Sequence, residues 1–87
     1  MPKPVFHDGS KNLIAKKLIA LRKEHNLSQR GLAIKLQTMG YDVDKNVITR
    51  IETGKRYVSD IELYALCTYF RISSDELIGL GKRKVSA

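Results

Sequence analysis

Leu27-Ser28-Gln29-Arg30-Gly31-Leu32-Ala33-Ile34-Lys35-Leu36-Gln37-Thr38-Met39-Gly40, continued by Tyr41-Asp42-Val43-Asp44-Lys45-Asn46-Val47-Ile48-Thr49-Arg50-Ile51-Glu52-Thr53-Gly54-Lys55-Arg56, holds two amphipathic segments in close succession. Ser28 is an N-cap residue, and Leu32, Leu36 and Met39 follow at i, i+4, i+7, the apolar face of a helix that Gly40 closes. Asp44 then precedes a shorter helix in which Val47, Ile48 and Ile51 share a face and Gly54 is the stop. Its other face carries Lys45, Asn46, Thr49 and Arg50. A helix about 10 Å across fits a DNA major groove about 12 Å wide, where Asn suits adenine and Arg suits guanine. By composition alone, the same face is equally that of a solvated amphipathic helix.

The flanks are helical too. Over residues 10–25, Leu13, Ile14, Leu18 and Leu21 fall on one face, with Ser10 as the expected cap and Asn26 as the end. Ser59 to Glu62 reads S-x-x-E, a capping box, and opens a helix with a Leu63, Leu66, Cys67, Phe70 stripe, which makes Cys67 a core residue. Ser73 to Glu76 repeats the box before a short helix with Leu77, Ile78 and Leu80, stopped by Gly79 and Gly81. No stretch alternates with the period of a strand. The expected class is all-α: a compact five-helix bundle in residues 10–80, between an N-terminal arm (1–9) and a basic tail (81–87).

At 87 residues the chain has room for one core. The balance of 43% hydrophobic and 29% charged residues fits a small soluble domain, and no apolar run approaches the roughly 20 residues of a membrane span. The N-terminus lacks an apolar signal segment, so a cytoplasmic location is expected. The net charge of +7 lies entirely in residues 1–58, which suggests a face that meets polyanions. His7, His25 and Cys67 have no metal-ligand spacing, and no carboxylate pair or glycine-rich phosphate loop stands out; neither a metal, a cofactor nor catalysis is expected.

The segments Leu21 to Gln29, Leu32-Ala33, Ile48 to Arg56 and Leu66 to Leu77 together resemble the phage-repressor and Cro-like family of helix-turn-helix regulators, also called the xenobiotic-response-element type. The resemblance implies that the bundle in residues 10–80 is a helix-turn-helix domain and that the protein is a sequence-specific double-stranded DNA-binding regulator, a repressor of bacterial or phage type acting on the nucleoid. It implies base contacts from Lys45, Asn46, Thr49 and Arg50 in the helix at about 45–53, and phosphate contacts from Ser28, Gln29, Arg30, Thr53, Lys55 and Arg56. The dipole end of the helix beginning at Gln29 favours a phosphate there. Ala33 is small where the two helices cross.

Two features depart from the family. Gly31 sits early in a helix, where it costs up to about 1 kcal/mol against alanine. Leu36 and Ile48 are further apart than in the family, by roughly five residues within Gln37 to Asp44, which is expected to lengthen the first of the two helices by about a turn and add an irregular loop. If Gly40 takes the left-handed conformation there, Tyr41 and Val43 turn toward the core and Asp44 caps the reading helix. A homodimer on DNA is expected, because one short helix reads few base pairs; Leu77, Ile78 and Leu80 are candidates for the contact or for completing the core. The competing reading is an antitoxin-like or other module that binds a protein partner, with DNA secondary.

Overall fold

The computed structural model describes residues 9–80 and contains five helices: α1 (Ala15–Glu24), α2 (Gln29–Thr38), α3 (Lys45–Glu52), α4 (Asp60–Phe70) and α5 (Ser74–Ile78). The expected all-α class is what the chain adopts. His7, most of the expected arm, Gly81 and the basic tail lie outside the described residues. α3 packs against α1 and α2, α4 against α2, and α5 against α4 and α1. Leu18, Leu32, Leu36, Ile48, Ile51, Leu66 and Leu77 are fully buried where these helices meet, each contributing about 1.5–3 kcal/mol by leaving water.

Four of the expected N-caps form. Ser28, Asp44, Ser59 and Ser73 each accept from a backbone N–H three residues on. Ser59 and Glu62 complete a reciprocal capping box. Ser73 supplies one half of such a box, while the Glu76 carboxylate lies 4.0 Å from the Lys17 ammonium.

The first helix is shorter than its periodicity predicts. It starts at Ala15, Ser10 does not cap it, and Leu13 is left 54% exposed. Residues 10–14 are spent on tethering instead. Asn12 Nδ2 donates to the carbonyls of Ile51 at 3.1 Å and Arg56 at 3.0 Å, its Oδ1 accepts from the Ile14 N–H, and the Lys11 N–H donates to the Gly54 carbonyl. These bonds hold the chain end against the C-terminus of α3 in a shape that a helix from Ser10 could not make. Elsewhere, Met39 is exposed rather than core, because α2 ends one residue before it. Cys67 is half-buried and packs on the core from its edge; burial pushes its thiol above the usual range. Leu77 is core, Ile78 half-buried and Leu80 exposed, so Leu77 is unavailable to a dimer.

The inserted residues divide between helix and loop. Gln37 and Thr38 extend α2, and the helix then ends in a Schellman turn: the Tyr41 N–H donates to the Leu36 carbonyl and the Gly40 N–H to that of Gln37. Gly40 has φ +96°, Val43 is buried, Tyr41 packs half-buried on the core, and Asp44 Oδ1 accepts from the Val47 N–H at 2.9 Å. Apart from Gly40 itself and its two chain neighbours, no atom lies within 4 Å of where a Cβ on Gly40 would stand, so a substitution there meets backbone strain and no tertiary clash. Gly40→Val is therefore expected to destabilise by about 1–2 kcal/mol and Gly40→Asn by less, since asparagine tolerates the left-handed region. Thermal melts of the two variants check this; equal stability would remove the strain argument.

Candidate nucleic-acid interface

α3 owes its orientation to what it buries. Ile48 and Ile51 are fully buried, and Glu52 beside them is 8% exposed, the one buried charged residue among those described. Its carboxylate accepts from Arg22 Nε at 2.7 Å and Nη2 at 3.0 Å, and from Gln29 Nε2 at 2.9 Å. Arg22 spends a further donor on the Leu27 carbonyl. The hydrogen bonds from Arg22 to Glu52, opposed by desolvation, hold its guanidinium pKa above the usual range. The Gln29 carbonyl accepts from the Thr49 hydroxyl at 2.8 Å. One network thus joins α1, α2 and α3.

With the inner face so held, α3 turns Lys45, Asn46 and Arg50 outward, all exposed, with Thr49 half-buried against α2. Arg30 of α2 is exposed across a shallow cleft from Lys45 and Asn46, which Ile34 and Asp44 also line. Ser28 is exposed, but its oxygen is engaged as the α2 cap by the Gly31 N–H at 2.8 Å. At the other end of α3, Thr53 is exposed and donates its hydroxyl to the Thr49 carbonyl, and Lys55 is exposed just beyond. Lys16 of α1 lines a second hollow with Thr53 and Lys55.

Beyond Ser28 and Thr53, whose hydroxyls bond to nearby backbone, two of the residues expected at phosphates are tied to other side chains. Gln29 has both ends of its amide bound, as above. Arg56 is half-buried and donates to both carboxylate oxygens of Glu62, at 2.6 and 3.2 Å. Burial disfavours the Glu62 anion, but the Arg56 guanidinium and the amide and hydroxyl of Ser59 outweigh it, so the carboxyl titrates below its ordinary value of 4.5.

The sequence suggests no part in the site for Arg22, Glu52, Asn12 and Lys16; its periodicity puts Arg22 and Lys16 outside the apolar face of the first helix, and Arg22 is instead turned to the buried Glu52. A pairing signal is present for Arg22 and Glu52 all the same: Arg22 stands four residues after Leu18 and Glu52 four after Ile48, opposite charges each a turn beyond an apolar residue. Asn12 had none, since the carbonyls it satisfies are 39 and 44 residues away.

A helix-turn-helix family model matches residues 18–77, more than half of the chain, and the protein belongs to that family of DNA-binding domains. The match covers α2, α3 and their connection, the inserted residues included. No curated protein and no solved structure matches the chain significantly. Among the described residues, no helix is long and apolar enough to cross a membrane.

Two outcomes follow from the ion pairs. Glu52→Ala leaves the Arg22 and Gln29 donors without their acceptor and is expected to destabilise by about 3 kcal/mol or more, read by chemical denaturation. Glu62, with its pKa lowered in the fold, stabilises at pH values above 4.5, and that contribution is lost as pH falls through the folded pKa. Glu62→Gln should accordingly flatten the acid limb of a stability-versus-pH curve below 4.5.

Proposed function

We propose that this protein is a sequence-specific double-stranded DNA-binding transcription regulator, a repressor by occupancy, that lays α3 in the major groove as a homodimer. The observation that carries the reading is the outward face of α3: Lys45, Asn46 and Arg50 exposed on a helix whose other side is pinned by Ile48, Ile51 and Glu52. Rigid presentation of a few donors is what base readout requires. Lys55 and Arg30, exposed to either side, serve phosphates, with Lys16 joining Lys55 beside the end of α3. Thr53 can turn its hydroxyl outward at little cost, because the Thr49 and Arg50 carbonyls it leaves keep the backbone N–H groups of Thr53 and Lys55. Arg56 reaches a phosphate only by sharing its guanidinium with Glu62.

A two-fold dimer reading half-sites about 34 Å apart fits the short reading helix. Such a protein works on the nucleoid, in the cytoplasm of a bacterial or phage-infected cell. The protein-binding alternative draws on Ile61 and Tyr64 of α4, which are 66% and 65% exposed. Selection from random duplex DNA at two salt concentrations separates the readings: enrichment of one sequence supports the regulator, and sequence-blind, salt-sensitive binding supports the module.

Within this reading, Arg50→Ala is expected to cost about 1–3 kcal/mol of specific affinity and to relax preference at one base position. Lys55→Ala should weaken all sequences alike and reduce the salt slope by about one phosphate contact. Binding titrations on selected and random duplexes check both, and an equal loss on the two duplexes for Arg50→Ala would remove that residue from base readout.

A further inference from the structure

We propose that Thr49 faces DNA as a hydrogen-bond acceptor only, and that the buried Glu52 imposes this polarity on it through Gln29; the proposal rests on the DNA-reading function above and specifies its chemistry at one residue. The argument begins at the carboxylate. Glu52, bound by the Arg22 guanidinium, can accept hydrogen bonds but not donate them. The group that faces it from α2, 2.9 Å away, must therefore be the amino end of the Gln29 amide. That orientation turns the Gln29 carbonyl toward Thr49 Oγ1, 2.8 Å away, and a carbonyl only accepts. The Thr49 hydroxyl must supply the hydrogen.

The backbone carbonyl of Lys45, 3.0 Å from the same hydroxyl oxygen, is an acceptor as well. A hydrogen shared between the two, with the Gln29 carbonyl the nearer, still points into the protein, and the oxygen lone pairs remain for a ligand. Turning the hydroxyl outward would leave the half-buried Gln29 carbonyl without its donor, a cost that the exposed Thr53 does not face.

The consequence for recognition is specific. In the major groove the donors are the exocyclic amino groups, N6 of adenine and N4 of cytosine; N7, O6, O4 and the phosphate oxygens all accept. Thr49 is thus matched to an amino group and mismatched to a phosphate. Of its neighbours on the face, Lys45 and Arg50 only donate, while the Asn46 amide does both. An acceptor next to donors lets α3 tell which strand of a base pair carries the amino group, since each pair presents one.

The test uses duplexes selected from a random pool by the wild-type protein and by Thr49→Val, which keeps the branched shape and loses the oxygen. The position where the two preferences differ is rebuilt with 2-aminopurine for adenine or 2-pyrimidinone for cytosine, which lack the major-groove amino group, and with 7-deazapurines, which lack N7. Removing the amino group is expected to weaken wild-type binding by about three- to tenfold and to leave Thr49→Val binding unchanged. Removing N7 should weaken both proteins alike. Thr49→Ser, which keeps the hydroxyl, should retain the wild-type preference, and Thr49→Ala replaces the valine variant if melts show the latter unfolded. Coupling of residue 49 to N7, O6, O4 or a phosphate overturns the proposal, as does an unchanged preference in Thr49→Val while the wild type selects a sequence. A wild-type protein that enriches no sequence at all overturns the DNA-reading function and this proposal with it.

Discussion

The buried carboxylate of Glu52 is the constraint on which the rest of the structure turns. An ion taken out of water is tolerated only where its hydrogen-bonding sites are filled, and here Arg22 fills two and Gln29 a third. The two partners stand on α1 and α2, while the carboxylate stands on α3. Apolar contacts such as those of Ile48 and Ile51 turn one face of α3 inward but fix its rotation only loosely, because dispersion and the hydrophobic effect have little directionality. Three bonds of defined direction do fix it. The rotation of α3 about its own axis, and with it the set of side chains turned outward, follows from where that carboxylate must point.

The two ends of α3 are held by different means. At its N-terminus the chain arrives through a turn closed at Gly40, drops Val43 into the core and meets the helix with the Asp44 cap. At its C-terminus a second Schellman turn, with the Gly54 N–H on the Ile51 carbonyl and the Lys55 N–H on that of Arg50, is clasped by Lys11 and Asn12. Gly54 has φ +72°, and a Cβ there would stand 2.9 Å from Ser10 Oγ. The extended connection between α2 and α3 therefore adds length without loosening the helix it leads to.

Most of the helices could be read from the sequence because their signals are local. Ser28, Asp44, Ser59 and Ser73 act on N–H groups three residues away, and the glycines act where they stand. The reading failed where a long-range demand overrode a local pattern. Leu13 and Ile14 continue the stripe of Leu18 and Leu21, yet Leu13 is outside α1, because the preceding backbone is committed to Gly54 and to the carbonyls that Asn12 satisfies. Met39 keeps the spacing of Leu32 and Leu36 but falls at the cap, where the helical periodicity no longer applies. At the candidate interface, the outward residues of α3 were legible as one polar face. Their polarity was not, because the direction of the hydrogen at Thr49 is decided two side chains away at Glu52.

The same distinction governs the charge. A formal +7 describes the chain, but a cation already satisfied by the fold has little left to offer a polyanion. Arg22 and Arg56 answer Glu52 and Glu62, Lys17 lies by Glu76, and the Lys11 ammonium stands 5.5 Å from the centre of the Tyr57 ring. Lys45, Arg50 and Lys55, exposed and without an ion pair among the described residues, stand on α3 and the turn that ends it. Counterions are released from DNA by cations that reach its phosphates, so in the proposed complex the salt dependence counts the unpaired cations that face DNA and not the sum over the chain. Pairing within the fold thus does for charge what the buried carboxylate does for direction: it engages Arg22, Arg56 and Lys17 with carboxylates of the fold and leaves Lys45, Arg50 and Lys55 exposed on α3 and the turn that ends it.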